Sequence, residues 1–289
     1  MTATEKTARE LVAPGKGILA ADESTGTITK RLASVGVEST EETRRAYRQM
    51  LFTTEGIEAH ISGVILFDET IRQSADDGVR FPKLLADRGI IAGIKVDRGA
   101  KPLAGFPGEK VTEGLDGLRD RLAEYRGLGA RFAKWRAVIV IGDGMPTDTC
   151  LLSNAHALAR YAALSQEAGL VPIVEPEVLM DGDHTIERCE EVTEETLKTV
   201  FAQLADHRVE TEETLLKPNM VLPGKDCPTQ VSDDLIAEAT LRSFGRAVPE
   251  ELPGIVFLSG GQSAEEATSR LSAMNARGPR PWELSFSFG

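Results

Sequence analysis

The chain has 289 residues, of which 41% are hydrophobic and 27% charged, and its formal net charge is −12. This acidic balance argues against nucleic acid or an anionic membrane surface as the main partner. The chain has three cysteines, Cys150, Cys189 and Cys227, which are widely spaced and include no CxxC pair. An odd number with this spacing indicates reduced thiols in a cytoplasmic protein rather than a disulfide framework.

Apolar strand-like segments and helical segments alternate along the whole chain. A short polar helix is predicted first, at 4–12, and a Pro-Gly turn ends it. Strands are predicted at 18–21, 61–68, 90–97, 131–141, 170–177, 215–221, 255–258 and 282–288. Further helices are predicted at 39–51, 114–128, 149–167, 190–205, 233–246 and 263–274.

Eight strands, most of them separated by a helix and starting roughly every 30–45 residues, are typical of a (β/α)8 TIM barrel. We therefore predict the α/β class and a single barrel domain over residues 1–289, with an extra N-terminal helix. No predicted helix follows the eighth strand. We accordingly expect the last barrel helix to be missing from this chain.

Sequence signals mark the beginnings of three helices. Ser39 with Glu42, and Ser263 with Glu266, have the spacing of a capping box. Ser232 precedes two acidic residues, so it is the predicted N-cap of the helix that follows it.

The predicted strand at 215–221 carries Lys217 inside the apolar run Leu-Leu-Lys-Pro-Asn-Met-Val. Pro218 biases the residue before it toward an extended conformation. A lysine in such a run is costly unless it is paired or neutralised, and a neutral lysine amine is a good nucleophile toward carbonyl groups. The alternative is a structural lysine at a strand end whose amine reaches solvent.

Charged residues at the ends of other strands favour a catalytic Lys217. Residues two apart on a strand face the same side. The pairs with this spacing are Lys95 with Asp97, Lys134 with Arg136, and Glu175 with Glu177, and Asp22 ends the first strand. An internal salt bridge would explain any one pair. Together with Lys217, however, charged residues lie on five strands, which indicates a site at the C-terminal strand ends of the barrel. Lysines and carboxylates that converge there suit Schiff-base chemistry with proton transfer.

Two further patterns concern ligands. Ser259, Gly260 and Gly261 precede a predicted helix, so their backbone N–H groups could bind a phosphate, and the alternative is an ordinary turn. The four histidines are scattered without HxH or HExxH spacing, so we predict no metal. No apolar run is long enough for a membrane span.

Seven sequence blocks cover most of these features. They are GKGILAADESTGTITKRL at 15–32, IKVDRG at 94–99, KWR at 134–136, VPIVEPEVLMDGDH at 171–184, LLKPNMVLPG at 215–224, LSGGQS at 258–263 and WELSFSFG at 282–289. Together they resemble the class I fructose-1,6-bisphosphate aldolases over essentially the whole chain. The resemblance implies a (β/α)8 barrel and a homotetrameric glycolytic and gluconeogenic lyase without metal or other cofactor. It also implies reversible cleavage of fructose 1,6-bisphosphate into dihydroxyacetone phosphate and glyceraldehyde 3-phosphate.

The resemblance implies a role for each catalytic candidate. Lys217 matches the Schiff-base lysine, and Asp22 matches the carboxylate that handles the proton of the C4 hydroxyl. Glu175 matches the acid/base that helps to form and dehydrate the carbinolamine. Lys134 matches the lysine beside it, and Glu177 matches a supporting carboxylate.

The implied phosphate-binding residues fall into two groups. The group for the C1 phosphate comprises Ser259, Gly260, Gly261 and the backbone of Gly289. The group for the other phosphate comprises Ser24, Thr27 and Lys95, with Arg31 and Arg136 nearby. Thr27 stands where many members of the family have serine, so a hydroxyl is kept.

This chain departs from the family at its end. The family continues after the SFSFG-like sequence with an arginine that binds the C1 phosphate and a tail whose terminal tyrosine assists proton exchange, and this chain includes neither. One alternative function is therefore a barrel that binds sugar phosphates without catalysis. Another is a Schiff-base enzyme of different specificity, such as a transaldolase or a seven-carbon bisphosphate aldolase. Candidate phosphate groups at both ends favour a bisphosphate, whereas six or seven carbons stay open.

Overall fold

A closed barrel of parallel strands forms the centre of the molecule. The computed structural model describes residues 1–289. Its strands are β1 (Gly17–Ala21), β2 (Ile61–Leu66), β3 (Ile91–Lys95), β4 (Ala100–Pro102), β5 (Lys110–Thr112), β6 (Phe132–Ile139), β7 (Val171–Val178), β8 (Leu215–Leu216), β9 (Gly254–Phe257) and β10 (Glu283–Phe288). Eight of them form the barrel, with β10 closing onto β1, and β4 and β5 form a separate antiparallel pair. The predicted (β/α)8 barrel is confirmed.

Helices connect most of the barrel strands and surround them. They are α1 (Ala3–Leu11), α2 (Thr25–Ala33), α3 (Glu41–Thr53), α4 (Asp68–Ile71), α5 (Phe81–Asp87), α6 (Leu118–Gly127), α7 (Asp148–Glu167), α8 (Ile186–Asp206), α9 (Asp233–Ala247) and α10 (Ala264–Asn275). None of them combines the length and the hydropathy that a membrane span requires.

The inside of the barrel is packed around Phe132, the first residue of β6. Phe132 is fully buried together with side chains of β1, β2, β7, β8 and β9, and α1 adds Leu11 to the same cluster. Gly63 on β2 and Gly93 on β3 make room for these two side chains. A Cβ would lie 2.6 Å from Leu11 at Gly63 and 2.3 Å from Phe132 at Gly93. Glycine at these positions therefore lets large side chains fill the interior.

The start of α3 differs from the prediction by one residue. The capping box consists of Thr40 and Thr43, whose hydroxyls accept each other's backbone N–H at 3.1 and 2.9 Å. The predicted pair of Ser39 and Glu42 is wrong, because the Ser39 hydroxyl instead accepts from Thr29 of α2 at 2.9 Å. The caps predicted at Ser232 and at the start of α10 are confirmed.

The strand predicted at 215–221 is also wrong in length, because β8 has only two residues. Pro218 has no N–H to donate, which ends regular pairing with β7. The N–H of Lys217 still donates to the Val174 carbonyl at 2.8 Å, and Leu258 donates to the Pro218 carbonyl at 3.1 Å. The segment after β8 therefore stays between its neighbours without being a regular strand.

The sequence analysis did not predict α2, α4, α5 or the β4–β5 pair. α4 and α5 have four and seven residues, too few for a helical period to stand out. α2 contains three threonines and a glycine, which are weak helix formers.

Candidate active site

A cavity of about 710 Å³ opens at the carboxyl ends of the barrel strands. This is the end of a (β/α)8 barrel at which loops from different strands converge. The structure brings every predicted site residue to this one cavity: Asp22, Ser24, Thr27, Arg31, Lys95, Lys134, Arg136, Glu175, Glu177, Lys217, Ser259, Gly260, Gly261 and Gly289.

Lys217 projects from the segment after β8 and is buried, with 4% of its surface exposed. Its backbone is held against β7 by the bond to Val174. Two residues further on, Asn219 Oδ1 accepts the N–H of Val178 at 3.0 Å. These bonds fix the backbone on both sides of the lysine. Its Nζ lies 3.3 Å from Glu175 Oε1.

Lys134 of β6 contacts two carboxylates. Its Nζ lies 2.8 Å from Asp22 Oδ2 and 3.1 Å from Glu175 Oε2. The second contact is an ion pair without the alignment of a hydrogen bond, because Glu175 Oε2 has no hydrogen-bond partner. Burial opposes the charged form of Lys134, but the two carboxylates outweigh burial and raise its pKa. Lys134 therefore stays protonated and supplies positive charge.

Asp22 is ionised in this environment. Burial on its own would raise the pKa of Asp22, but Lys134, Lys217 and Lys95 outweigh that effect and lower the pKa from 3.8 to about 2. An ionised carboxylate can accept a proton. The contacts thus give four groups of alternating charge in the order Lys217, Glu175, Lys134, Asp22.

The register of β6 and β7 accounts for part of this arrangement. Arg136 is the backbone partner of Glu175, yet the ion pairs join Lys134 to Glu175 and Arg136 to Glu177, the latter at 2.5 Å. Each cation therefore contacts the acid two positions further along β7 than its own backbone partner. Strands in a barrel are tilted and staggered, so backbone partners and side-chain partners differ.

Lys95 and Asp97 also form an ion pair, at 3.1 Å between Nζ and Oδ1. Asp97 accepts from the N–H groups of Gly99 at 3.1 Å and Arg136 at 3.3 Å. The carboxylate therefore ties the loop after β3 to β6. Each pair predicted from a spacing of two residues is directed into the cavity, where all six side chains meet.

Ser24 and Thr27 stand at the start of α2. Ser24 is the N-cap residue but makes no side-chain capping bond, and its hydroxyl lies 3.2 Å from that of Thr27. Both hydroxyls line the cavity. The N–H groups of Thr27 and Ile28 donate to the Ser24 carbonyl at 2.9 Å. The first N–H groups of a helix have no carbonyl partner in it, so this end favours a bound anion.

The group predicted for the C1 phosphate surrounds Gly260 and Gly261, whose φ angles of 57° and 87° are left-handed. Such angles are readily adopted only by glycine, and they turn the chain between β9 and α10. Gly289 lies beside Arg31, whose Nη2 would be 3.5 Å from a Cβ at that position. The structure thus brings Arg31 next to a residue that the resemblance assigns to the other phosphate.

Several cavity residues were missed by the sequence analysis. Lys225 and Asp181 form an ion pair between the loops after β8 and β7, and both line the cavity. No sequence pattern marks this contact. Ser287 of β10 also lines the cavity, is 2% exposed and has no partner for its hydroxyl. Its spacing of two from Ser285 could have placed it on the inner face. Glu23 also lines the cavity and was not predicted.

The charge of the cavity differs from that of the whole chain. Six carboxylates line it: Asp22, Glu23, Asp97, Glu175, Glu177 and Asp181. Six cationic side chains line it as well: Arg31, Lys95, Lys134, Arg136, Lys217 and Lys225. The cavity is therefore formally neutral in a chain with a net charge of −12, and an anion meets less repulsion there than over the rest of the surface.

Comparisons with known proteins agree with this geometry. The family model described as fructose-bisphosphate aldolase class-I matches residues 4–289. A probable fructose-bisphosphate aldolase class 1 of Xanthomonas campestris pv. campestris is 62% identical over 284 residues, which are 98% of this chain and 85% of that protein. Fructose-bisphosphate aldolase C of Rattus norvegicus is 54% identical over 98% of this chain and 78% of its own length.

A solved structure has the same fold. Fructose-bisphosphate aldolase from Plasmodium falciparum, determined in complex with TRAP and a small-molecule inhibitor, superposes with a TM-score of 0.98 at 50% identity. The match covers 99% of this chain and 83% of that one. Family, relatives and fold agree over almost the entire sequence, and the chain therefore belongs to the class-I fructose-bisphosphate aldolase family.

Proposed function

We propose that this chain reversibly cleaves fructose 1,6-bisphosphate into dihydroxyacetone phosphate and glyceraldehyde 3-phosphate through a Schiff base on Lys217. The observation that carries the assignment of residues is the series Lys217, Glu175, Lys134, Asp22, whose successive contacts measure 2.8–3.3 Å. It combines a nucleophile with two carboxylates in different surroundings, as acid and base steps require.

In the first half of the reaction, Lys217 forms the imine. Glu175, 3.3 Å away, accepts a proton from the ammonium, and the neutral amine attacks the C2 carbonyl to give a carbinolamine. Glu175 then returns a proton to the departing hydroxyl, which leaves as water. The protonated imine that remains withdraws electrons from C3, so the proposal includes no metal.

In the second half, Asp22 removes the proton from the C4 hydroxyl. The C3–C4 bond breaks, its electron pair forms the enamine, and glyceraldehyde 3-phosphate leaves. Lys134 lies 2.8 Å from Asp22 and favours its ionised form. Protonation of the enamine at C3 and hydrolysis of the imine then release dihydroxyacetone phosphate and regenerate Lys217.

The phosphates occupy opposite sides of the reacting atoms in this proposal. Ser259, Gly260, Gly261 and the Gly289 backbone bind the C1 phosphate. Ser24, Thr27 and Lys95 bind the other phosphate, and Arg136 assists there. Arg31 was assigned to that second group too, and its position beside Gly289 supports a contribution to the C1 phosphate instead. Glu177 orients Arg136 through their 2.5 Å ion pair.

We also propose that the chain forms a homotetramer and works in the cytoplasm, in the breakdown and synthesis of hexose bisphosphates. The three cysteines are buried and unpaired, which is consistent with a reducing compartment.

Trapping with borohydride tests the assignment of the nucleophile. Reduction in the presence of fructose 1,6-bisphosphate should fix the substrate carbons on Lys217, and Lys217→Met should lose both this adduct and cleavage. Lys225→Met is the matched control, because Lys225 lines the same cavity but forms an ion pair at the cavity rim. This variant should still form the substrate adduct on Lys217. An adduct on another lysine would remove Lys217 from its role, and a barrel that only binds sugar phosphates would form no adduct.

A further inference from the structure

A buried arginine lies behind the catalytic carboxylate. Arg48 is the largest polar side chain among the fully buried ones, with 1% exposure, and it projects from α3 toward the end of β1. Its Nε donates to the Ala21 carbonyl at 3.3 Å. Its Nη2 donates to the Glu23 carbonyl at 3.1 Å and to Glu23 Oε2 at 3.1 Å.

The two carbonyls that Arg48 binds belong to the chain neighbours of Asp22. Ala21 is the last residue of β1, so no strand pairing fixes the peptide groups that follow it. Arg48 binds the carbonyls of the residues before and after Asp22. A guanidinium is a rigid planar group with several donors, so it sets the spacing of the two carbonyls and thereby the backbone from which the Asp22 side chain projects.

Burying this arginine is costly, which indicates that its polar contacts have a purpose beyond packing. A buried ion pair is often no more stabilising than apolar side chains of similar volume. Burial lowers the pKa of Arg48, and Glu23 is the carboxylate that most opposes this effect. Arg48 does not line the cavity, so it acts on the reaction only through the residues that it holds.

Glu23 extends the same arrangement to the cavity wall. One carboxylate oxygen accepts from Arg48, and the other accepts from Arg31 Nη1 at 2.5 Å. Arg31 also donates to the Tyr47 hydroxyl at 3.3 Å. The Glu23 carboxylate thus joins the interior Arg48 to Arg31, which lies beside Gly289.

We infer that Arg48 is a positioning residue that directs the Asp22 carboxylate toward Lys134 and the substrate, with Glu23 as its counter-ion. The inference rests on the proposed function, in which Asp22 accepts the proton of the C4 hydroxyl. Arg48 makes no contact with Lys217 or Glu175, the residues proposed to form the imine. The inference therefore assigns Arg48 to the cleavage step.

Replacing Arg48 should therefore separate the two halves of the reaction. We expect Arg48→Met to lower kcat for cleavage by about 100-fold, as a displacement of about 1 Å would, while borohydride trapping on Lys217 stays within about twofold. Arg48→Lys keeps the charge but not the planar set of donors, so its loss should be intermediate, at about tenfold.

Arg45→Met is the matched control. Arg45 stands on the same helix, but it pairs with Glu42 and Asp76 at the surface, so cleavage and trapping should both stay unchanged. Chemical rescue provides a further measurement. Guanidinium chloride at about 50 mM should restore part of the cleavage activity of the Arg48→Ala variant, but it should not restore the activity of Asp22→Ala. Sodium chloride at the same concentration should not restore the activity of either variant.

The outcomes distinguish this inference from the proposed function. The inference would be overturned if Arg48→Met and Arg48→Lys lost trapping and cleavage in equal proportion and guanidinium restored neither. Arg48 would then only support the fold. Absence of a Lys217 adduct in the unsubstituted protein would overturn the proposed function, and the inference with it, before any Arg48 variant is considered.

Discussion

At the scale of single residues, the site depends on Glu175, which contacts both lysines. Its two oxygens lie 3.3 Å from Lys217 and 3.1 Å from Lys134. The only lysine within ion-pair distance of Asp22 is Lys134. Glu175 is therefore next to the amine on which the proposed imine would form, whereas Asp22 has its ion-pair contact with Lys134. This difference in neighbours predicts different tasks for the two carboxylates.

We expect Asp22→Ala and Glu175→Ala to fail at different steps. Asp22→Ala should still trap substrate on Lys217 but should cleave it about 10²–10⁴-fold more slowly, the usual range for loss of a general base. Glu175→Ala should slow the formation of the adduct itself. Rapid-quench trapping and a cleavage assay on the same samples measure the two steps. Equal defects at both steps in both variants would contradict the division.

At the scale of elements, the barrel depends on where two strands have glycine. Gly93 of β3 allows the Phe132 ring to sit inside the barrel. The helices contain glycines of another kind. Gly245 lies inside α9, and apart from its chain neighbours and the nearby backbone of the helix no atom lies within 4 Å of the position its Cβ would take. The first glycine serves packing, and the second only adds freedom to the unfolded chain.

The same substitution should therefore have opposite effects at the two positions. Gly93→Ala forces a Cβ to within 2.3 Å of a buried ring and should lower the free energy of unfolding by about 1–3 kcal/mol. Gly245→Ala should raise it by about 0.5–1 kcal/mol, because alanine favours the helix. Urea unfolding of both variants measures these changes. A stabilising Gly93→Ala would contradict the described packing of the barrel interior.

At the scale of the whole molecule, stability in acid is linked to the candidate active site. The pKa of Asp22 in the folded protein, about 2, lies below its ordinary 3.8. Ionised Asp22 therefore stabilises the fold by about 2 kcal/mol at neutral pH. This contribution is complete above about pH 4 and is lost as the pH falls from about 4 toward 2.

Asp22→Asn should remove this dependence on pH. Its free energy of unfolding should be about 2 kcal/mol below that of the unsubstituted protein at neutral pH, and the difference should shrink below about pH 4. Urea unfolding at a series of pH values from about 7 to 3 measures the difference. A difference that is the same at every pH would mean that the stabilising effect does not come from the ionised carboxylate.

Much of the fold and the membership of the site could be predicted from the sequence, because both follow local rules. The alternation of strands and helices predicts the barrel. Parallel strands in a barrel also bring their carboxyl ends to one side, so charges at those ends must converge. Lys95, Lys134, Glu175 and Lys217 were found on this basis, and all line the cavity.

The errors come from places where tertiary contacts override local patterns. Ser39 has the spacing of a cap, but its hydroxyl bonds to Thr29 of another helix. The run after β8 has the composition of a strand, but Pro218 interrupts the pairing. Short helices such as α4 have too few residues to show a period.

The sequence by itself determined the barrel, the family resemblance and the set of groups at the strand ends, since these depend on periodicity and on residue type. The partners of those groups were decided only in the tertiary structure. Lys134 bridges Asp22 and Glu175, and Arg48 holds the backbone around Asp22. These contacts join residues that are distant in the chain, and they depend on strand tilt and on how α3 packs against β1. No local pattern encodes either quantity, so neighbours in the site must be observed in three dimensions.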